Sequence, residues 1–105
     1  MSVLEQGQRF WITEADLHSH LRARMHQRGI TREEIERVLN EGWKATDAKP
    51  GTLGKVMVFS CEAEWEGQFY QEKEVTVYYK LTGEELILLT VKARYGQGFP
   101  EGISK

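Results

Sequence analysis

Ile30-Thr-Arg-Glu-Glu-Ile-Glu-Arg-Val-Leu-Asn-Glu-Gly-Trp-Lys-Ala-Thr-Asp47 is the stretch in which the chain changes its period. Its first part is a helix with both ends marked. Thr31 stands at the cap, Glu34 three residues later completes a capping box, and Ile30 and Ile35 can close a hydrophobic staple. Ile35, Val38 and Leu39 fall on one face, and Gly42 stops the helix. Beyond Gly42 the spacing of apolar residues drops from near 3.6 to 2, the period of a strand.

Upstream, the same helical grammar occurs once more. Thr13 is a cap with Asp16 three residues on, and Ile12 and Leu17 can form the staple. Leu17, Leu21 and Met25 make a narrow apolar stripe. Gly29 supplies a left-handed stop. Two helices joined by so short a turn pack as a hairpin or an angled pair.

Downstream, Trp43 to Asp47 reads as a short strand and Lys49 to Gly54, Lys-Pro-Gly-Thr-Leu-Gly, as a turn. Val56 to Ala63 reads as a strand with Met57, Phe59, Cys61 and Ala63 on one face. Trp65 to Gln71 reads as a loop. Val75, Val77, Tyr79 and Leu81 alternate with polar neighbours, Thr82-Gly83 turns the chain, and Leu86 to Tyr95 is the last strand. Consecutive hairpins after two helices predict the α+β class: two N-terminal helices packed on a curled, mostly antiparallel four-stranded sheet. Residues 1–105 make one domain, with a core over about 10–95 and loosely held ends.

Composition narrows the functions. The formal net charge of -2 over 105 residues exerts no strong pull on nucleic acid or acidic membranes, so an anion site must come from local charge. Cys61 is the one cysteine and cannot form an internal disulfide. No signal segment and no apolar run near the roughly 20 residues of a membrane span is present. The expected location is the cytoplasm, with no membrane partner. No glycine-rich phosphate loop and no Gly-x-Ser-x-Gly elbow occurs, which sets aside ATP, NAD and serine-hydrolase chemistry. No cofactor is expected. No metal site is expected either, because no histidine pair has the i, i+4 spacing of zinc helices.

His18 to Arg32 is the most informative segment: four arginines, three histidines and no acid. Residues four apart stack on a helix, so His20, Arg24 and Arg28 form one polar stripe beside the apolar one, and His18, Arg22 and His26 form another on the opposite flank. Arginines four apart repel by a few tenths of a kcal/mol unless an anion or a carboxylate lies between them. Either a ligand supplies that charge, or acids such as those of Glu33 to Glu41 do. In the last strand a strict period of 2 puts Thr90, Lys92 and Arg94 on one face, after Leu86 and Leu88 on the same face. Tyr78 and Tyr79 offer one ring to each face of the neighbouring strand, and Tyr78 can stack on a base. A basic strand end beside a basic helix stripe predicts a groove for phosphates. Such a groove supports RNA cleavage by attack of the 2′-hydroxyl on the adjacent phosphate without metal. His20 serves as general acid or base, Arg24 and Arg28 as phosphate and transition-state ligands, Thr90 as a hydrogen-bonding group, and Lys92, Arg94 and Tyr78 as substrate-binding groups.

His-Leu-Arg-Ala-Arg-Met-His-Gln-Arg-Gly-Ile from His20, followed by Thr-Arg-Glu-Glu-Ile-Glu-Arg-Val-Leu and later by Leu-Leu-Thr-Val (Leu88 to Val91), resembles the bacterial family called domain of unknown function 4258. The resemblance covers about residues 18–95. It implies a fold like that of toxin ribonucleases of the RelE and barnase type, RNA as substrate and an antitoxin-like protein as partner. Carried over by position, its pattern falls on His20, Arg24, Arg28 and Thr90. Two other readings stand beside the ribonuclease: a non-catalytic RNA- or protein-binding module, and an interface protein using Trp43, Trp65, Phe69 and Tyr70.

Overall fold

The computed structural model of the protein describes residues 9–65 and 67–99, with the backbone alone over 61–65. Two helices precede a four-stranded antiparallel sheet, so the α+β class holds. The helices are α1 (Ser19–Arg28) and α2 (Arg32–Glu41), and the strands are β1 (Trp43–Lys44), β2 (Leu53–Trp65), β3 (Gln68–Thr82) and β4 (Glu85–Gly96). The sheet order is β1-β2-β3-β4, a meander in which every neighbour is antiparallel. None of these helices is long and apolar enough to cross a membrane.

α2 closes as its sequence dictates. Thr31 Oγ1 accepts from the Glu34 N–H at 3.1 Å, and Glu34 Oε1 accepts from the Thr31 N–H at 3.0 Å. Gly29, at φ 70°, is the left-handed stop of α1. Gly42 ends α2 for a different reason. Its backbone is extended, and a Cβ there would lie 2.5 Å from the Val56 carbonyl oxygen and 2.6 Å from that of Val38. Space, not a left-handed φ, demands glycine.

The first helix starts later than expected. Thr13 and Asp16 do pair, with the Thr13 N–H on Asp16 Oδ2 at 2.8 Å, but they close only a 3₁₀ turn over Glu14–Asp16. Leu17 leaves the helical region, and Arg22 fixes the break by donating from Nε to the Leu17 carbonyl at 2.7 Å and from a terminal nitrogen to Glu14. α1 then begins with His18 as its cap, whose Nδ1 accepts the Leu21 N–H at 3.3 Å. Leu17 and Leu21 still reach the core.

Three strand expectations need correction. The first strand, expected over Trp43 to Asp47, ends at Lys44, and Asp47 lies in the turn that follows. The segment 65–71 is not a loop: β2 and β3 stay paired to Trp65↔Gln68, and Gly67, at φ 84°, helps turn the chain. The aromatic pair Phe69-Tyr70, both good strand formers, lies in the part of the ladder that continues to the tip. The strict period of 2 also fails in β4. Tyr78 faces Thr90 and Tyr79 faces Leu88, so Leu89 is an extra residue, a β-bulge. Leu88 is buried in the core, yet so is Val91, three residues later.

Both helices cover one face of the sheet. Val75, Val77, Tyr79, Leu88 and Val91 pack there against Leu21, Ile35, Val38 and Leu39. Lys73 lies on this face too, nearly buried, with Nζ bonded to Glu34 at 2.8 and 3.0 Å and to the Gly29 carbonyl. It ties the turn between the helices to the central strand. Tyr95 does likewise for β4, its hydroxyl donating to the Arg28 carbonyl.

Candidate functional site

The bulge separates the residues that sequence periodicity joins. Beyond Leu89, Val91, Ala93 and Tyr95 turn to the helices, while Thr90, Lys92 and Arg94 turn to the helix-free face, with Thr76 and Tyr78 of β3. Leu86 and Leu88 therefore do not share a face with Thr90, Lys92 and Arg94. His20, Arg24 and Arg28 belong to α1, which packs on the other side of β4. The seven expected site residues form two sets on opposite faces of one sheet, not a single groove.

On the helical side, His18 and His20 stack at 6.2 Å between ring centroids, with planes 10° apart. The two rings have different duties. His18 Nδ1 accepts the Leu21 N–H, so the neutral ring carries its proton on Nε2, which donates to the Leu88 carbonyl at 3.0 Å. Both nitrogens of His18 are committed to holding the start of α1 against the bulge. His20 is exposed, and its ring nitrogens have no hydrogen-bond partner among the described residues. Arg24 and Arg28 are half-buried and likewise have no acid or hydrogen-bond partner for their side chains there.

The acids that were to neutralise them are engaged elsewhere. Glu33 pairs with Arg32 and Glu34 with Lys73. Glu36 accepts the Ile12 N–H, and Glu41 pairs with Arg37. The charge of the α1 strip is left uncompensated within the described protein.

On the helix-free side, the carboxylate of Asp47 is the organising group. Tyr78 Oη donates to it at 2.9 Å and Lys92 Nζ at 2.9 Å, while the Lys92 ammonium lies 5.6 Å from the centre of the Tyr78 ring. Lys92, then the Tyr78 hydroxyl, holds the Asp47 carboxyl below the usual 3.8. Asp47 in turn raises Lys92 above the usual lysine value, and burial raises the Tyr78 phenol. Arg94 is spoken for as well, with Nε on Glu74 Oε1 at 2.8 Å and its guanidinium 4.9 Å from the Phe99 ring. Asp47 and Lys49, from the loop after β1, join Tyr78, Leu89, Thr90 and Lys92 around an open pocket of about 470 Å³.

Compared with protein-family models, with curated proteins and with solved structures, the chain matches none. The site therefore rests on its own geometry. Sequence reasoning brought out Tyr78, Thr90 and Lys92 but missed Asp47, read as the end of a strand, and Lys49, read only as the start of a turn. It also missed the capping role of His18. Among the described residues no three His, Cys, Asp or Glu side chains gather as metal ligands. Of the aromatic residues expected at an interface, Phe69 is 65% exposed, Trp43 and Tyr70 are half-buried, and the Trp65 side chain lies outside the described residues.

Proposed function

We propose that the protein binds single-stranded RNA in the cytoplasm, through phosphates seated on the α1 strip of His20, Arg24 and Arg28. One observation carries this reading: two guanidinium groups one helical turn apart, half-buried, with every nearby acid of α2 already paired to another group. Arginine forks match phosphate oxygens, and the anion would relieve the repulsion between Arg24 and Arg28. Lys92 and Arg94 add less, because Asp47 and Glu74 already compensate their charge.

Binding through two phosphate contacts implies an affinity that falls with salt at a log–log slope of about −1.4. Titrating a labelled single strand at several salt concentrations measures it. Arg24→Ala should lower the slope by about 0.7, the share of one contact. An unchanged slope would remove Arg24 from the site.

Cleavage is the second reading, and His20 favours it. Its ring is the one on this strip with both nitrogens open for proton transfer, beside two groups suited to stabilise charge on phosphorus. The displacement of Thr90 and Lys92 to the other face leaves this site with fewer groups than a ribonuclease of the expected design. Binding without turnover is therefore the reading preferred here. A toxin neutralised by an antitoxin-like protein follows only if cleavage occurs. Incubation with total RNA in the absence of metal, beside the His20→Ala/Arg24→Ala double variant, separates the two. Products from the wild type alone establish the nuclease, and intact RNA in both leaves the binding module.

A further inference from the structure

We propose that the helix-free pocket is a second site, independent of the RNA reading, that takes a small aromatic anion. Its walls and its charges both point to that class. Leu89 exists on this face only because the bulge adds a residue, and with the Tyr78 ring it gives the pocket apolar surface for a flat body. Bulges recur beside binding sites, where they re-aim a side chain. The volume of about 470 Å³ falls within the ordinary range for small-molecule sites.

The polar groups select the sign of the ligand. Asp47 is the only carboxylate among the described residues that line the pocket, and it is already held by two donors, Tyr78 Oη and Lys92 Nζ. It is thus a poor receptor for a cation. Lys49 Nζ and the Thr90 hydroxyl have no partner among the described residues, and the Lys92 ammonium keeps N–H groups beyond the one given to Asp47. With Lys92 set against Asp47, the Lys49 ammonium leaves the site net positive, and the Thr90 hydroxyl and the remaining Lys92 N–H groups add donors. A carboxylate or phosphate ester would meet Lys49, Lys92 and Thr90 while its ring lies on Leu89 and Tyr78.

The test is a titration of the full chain, labelled with ¹⁵N, with benzoate, with phenyl phosphate and with inorganic phosphate. The expected result is saturable amide shifts around Leu89 and Thr90 with at least one of the aromatic anions and none there with inorganic phosphate. Lys49→Glu, an exposed change that leaves the fold intact, should weaken that binding about tenfold or more. The Arg24→Ala/Arg28→Ala variant should bind as the wild type does, which separates this site from the α1 strip. The proposal is overturned by the absence of saturable shifts, by shifts confined to α1, by equal response to inorganic phosphate, or by binding that survives Lys49→Glu unchanged.

Discussion

His18 and His20 stand two residues apart with stacked rings, yet the environment assigns them different work. His18 holds an α1 N–H and a β4 carbonyl, so His18→Ala removes a cap and a tertiary hydrogen bond together. Its expected cost is about 1–2 kcal/mol in urea unfolding. His20→Ala touches neither and should stay within about 0.5 kcal/mol of the wild type. The reverse order would mean that His20, not His18, anchors the helix. Asp47 gives a pH-dependent counterpart. Its folded pKa lies below the unfolded one, so its contribution is present above the unfolded value of 3.8 and is lost as pH falls through the folded value. Asp47→Asn should therefore lower the urea midpoint at neutral pH, and the gap to the wild type should narrow as the pH falls below 3.8. A gap that does not change with pH would show that the carboxylate charge contributes nothing.

At the scale of the elements, Lys73 is the polar contact that ties both helices to the central strand. Lys73 joins Glu34, the same carboxylate that closes the α2 capping box, and also the last carbonyl of the α1 turn. Lys73→Ala strands both acceptors and should cost about 3 kcal/mol, the low end for breaking a buried pair. Lys73→Met combined with Glu34→Gln should cost less than the single change, a comparison that thermal or urea unfolding settles. Gly42→Ala should cost about 1–3 kcal/mol, because its methyl would meet backbone oxygens that cannot step aside. The α2 box, the Gly29 stop and the meander of strands were legible in the sequence, since each depends on neighbours a few residues away. The tandem start of α1 was not legible: Thr13 satisfies a local box, and only the distant Leu88 carbonyl makes His18 a better place to begin. The bulge left a faint trace, because apolar residues fall at 86 and 88 and then at 91 and 93. Extending one period through Leu89 brought Thr90, Lys92 and Arg94 to the wrong side and fused two sites into one.

Across the whole molecule, among the described residues, helices cover one face of the sheet and not the other. The β2–β3 hairpin runs on to Trp65 and Gln68 and presents an exposed Phe69 near its tip. Stability should grade along that hairpin. Amides of Val75 to Tyr79, in the central strand beneath both helices, should exchange slowest with deuterium, and those of Gln68 to Tyr70 should exchange within the fastest group of the sheet. Uniform exchange along β3 would contradict a core confined to the helical half.

Leu89 has a consequence for how such a chain can change over generations. A strand in a sheet with one covered face tolerates almost no gain or loss of residues, since each would exchange its wet and dry sides from that point on. Leu89 is the exception. Loss of that single codon would straighten β4 and leave Val91 inward and Lys92 outward, so the fold would survive while the pocket lost its wall. One three-nucleotide deletion would then separate a descendant that keeps the helix-free cavity from one that has only the α1 strip.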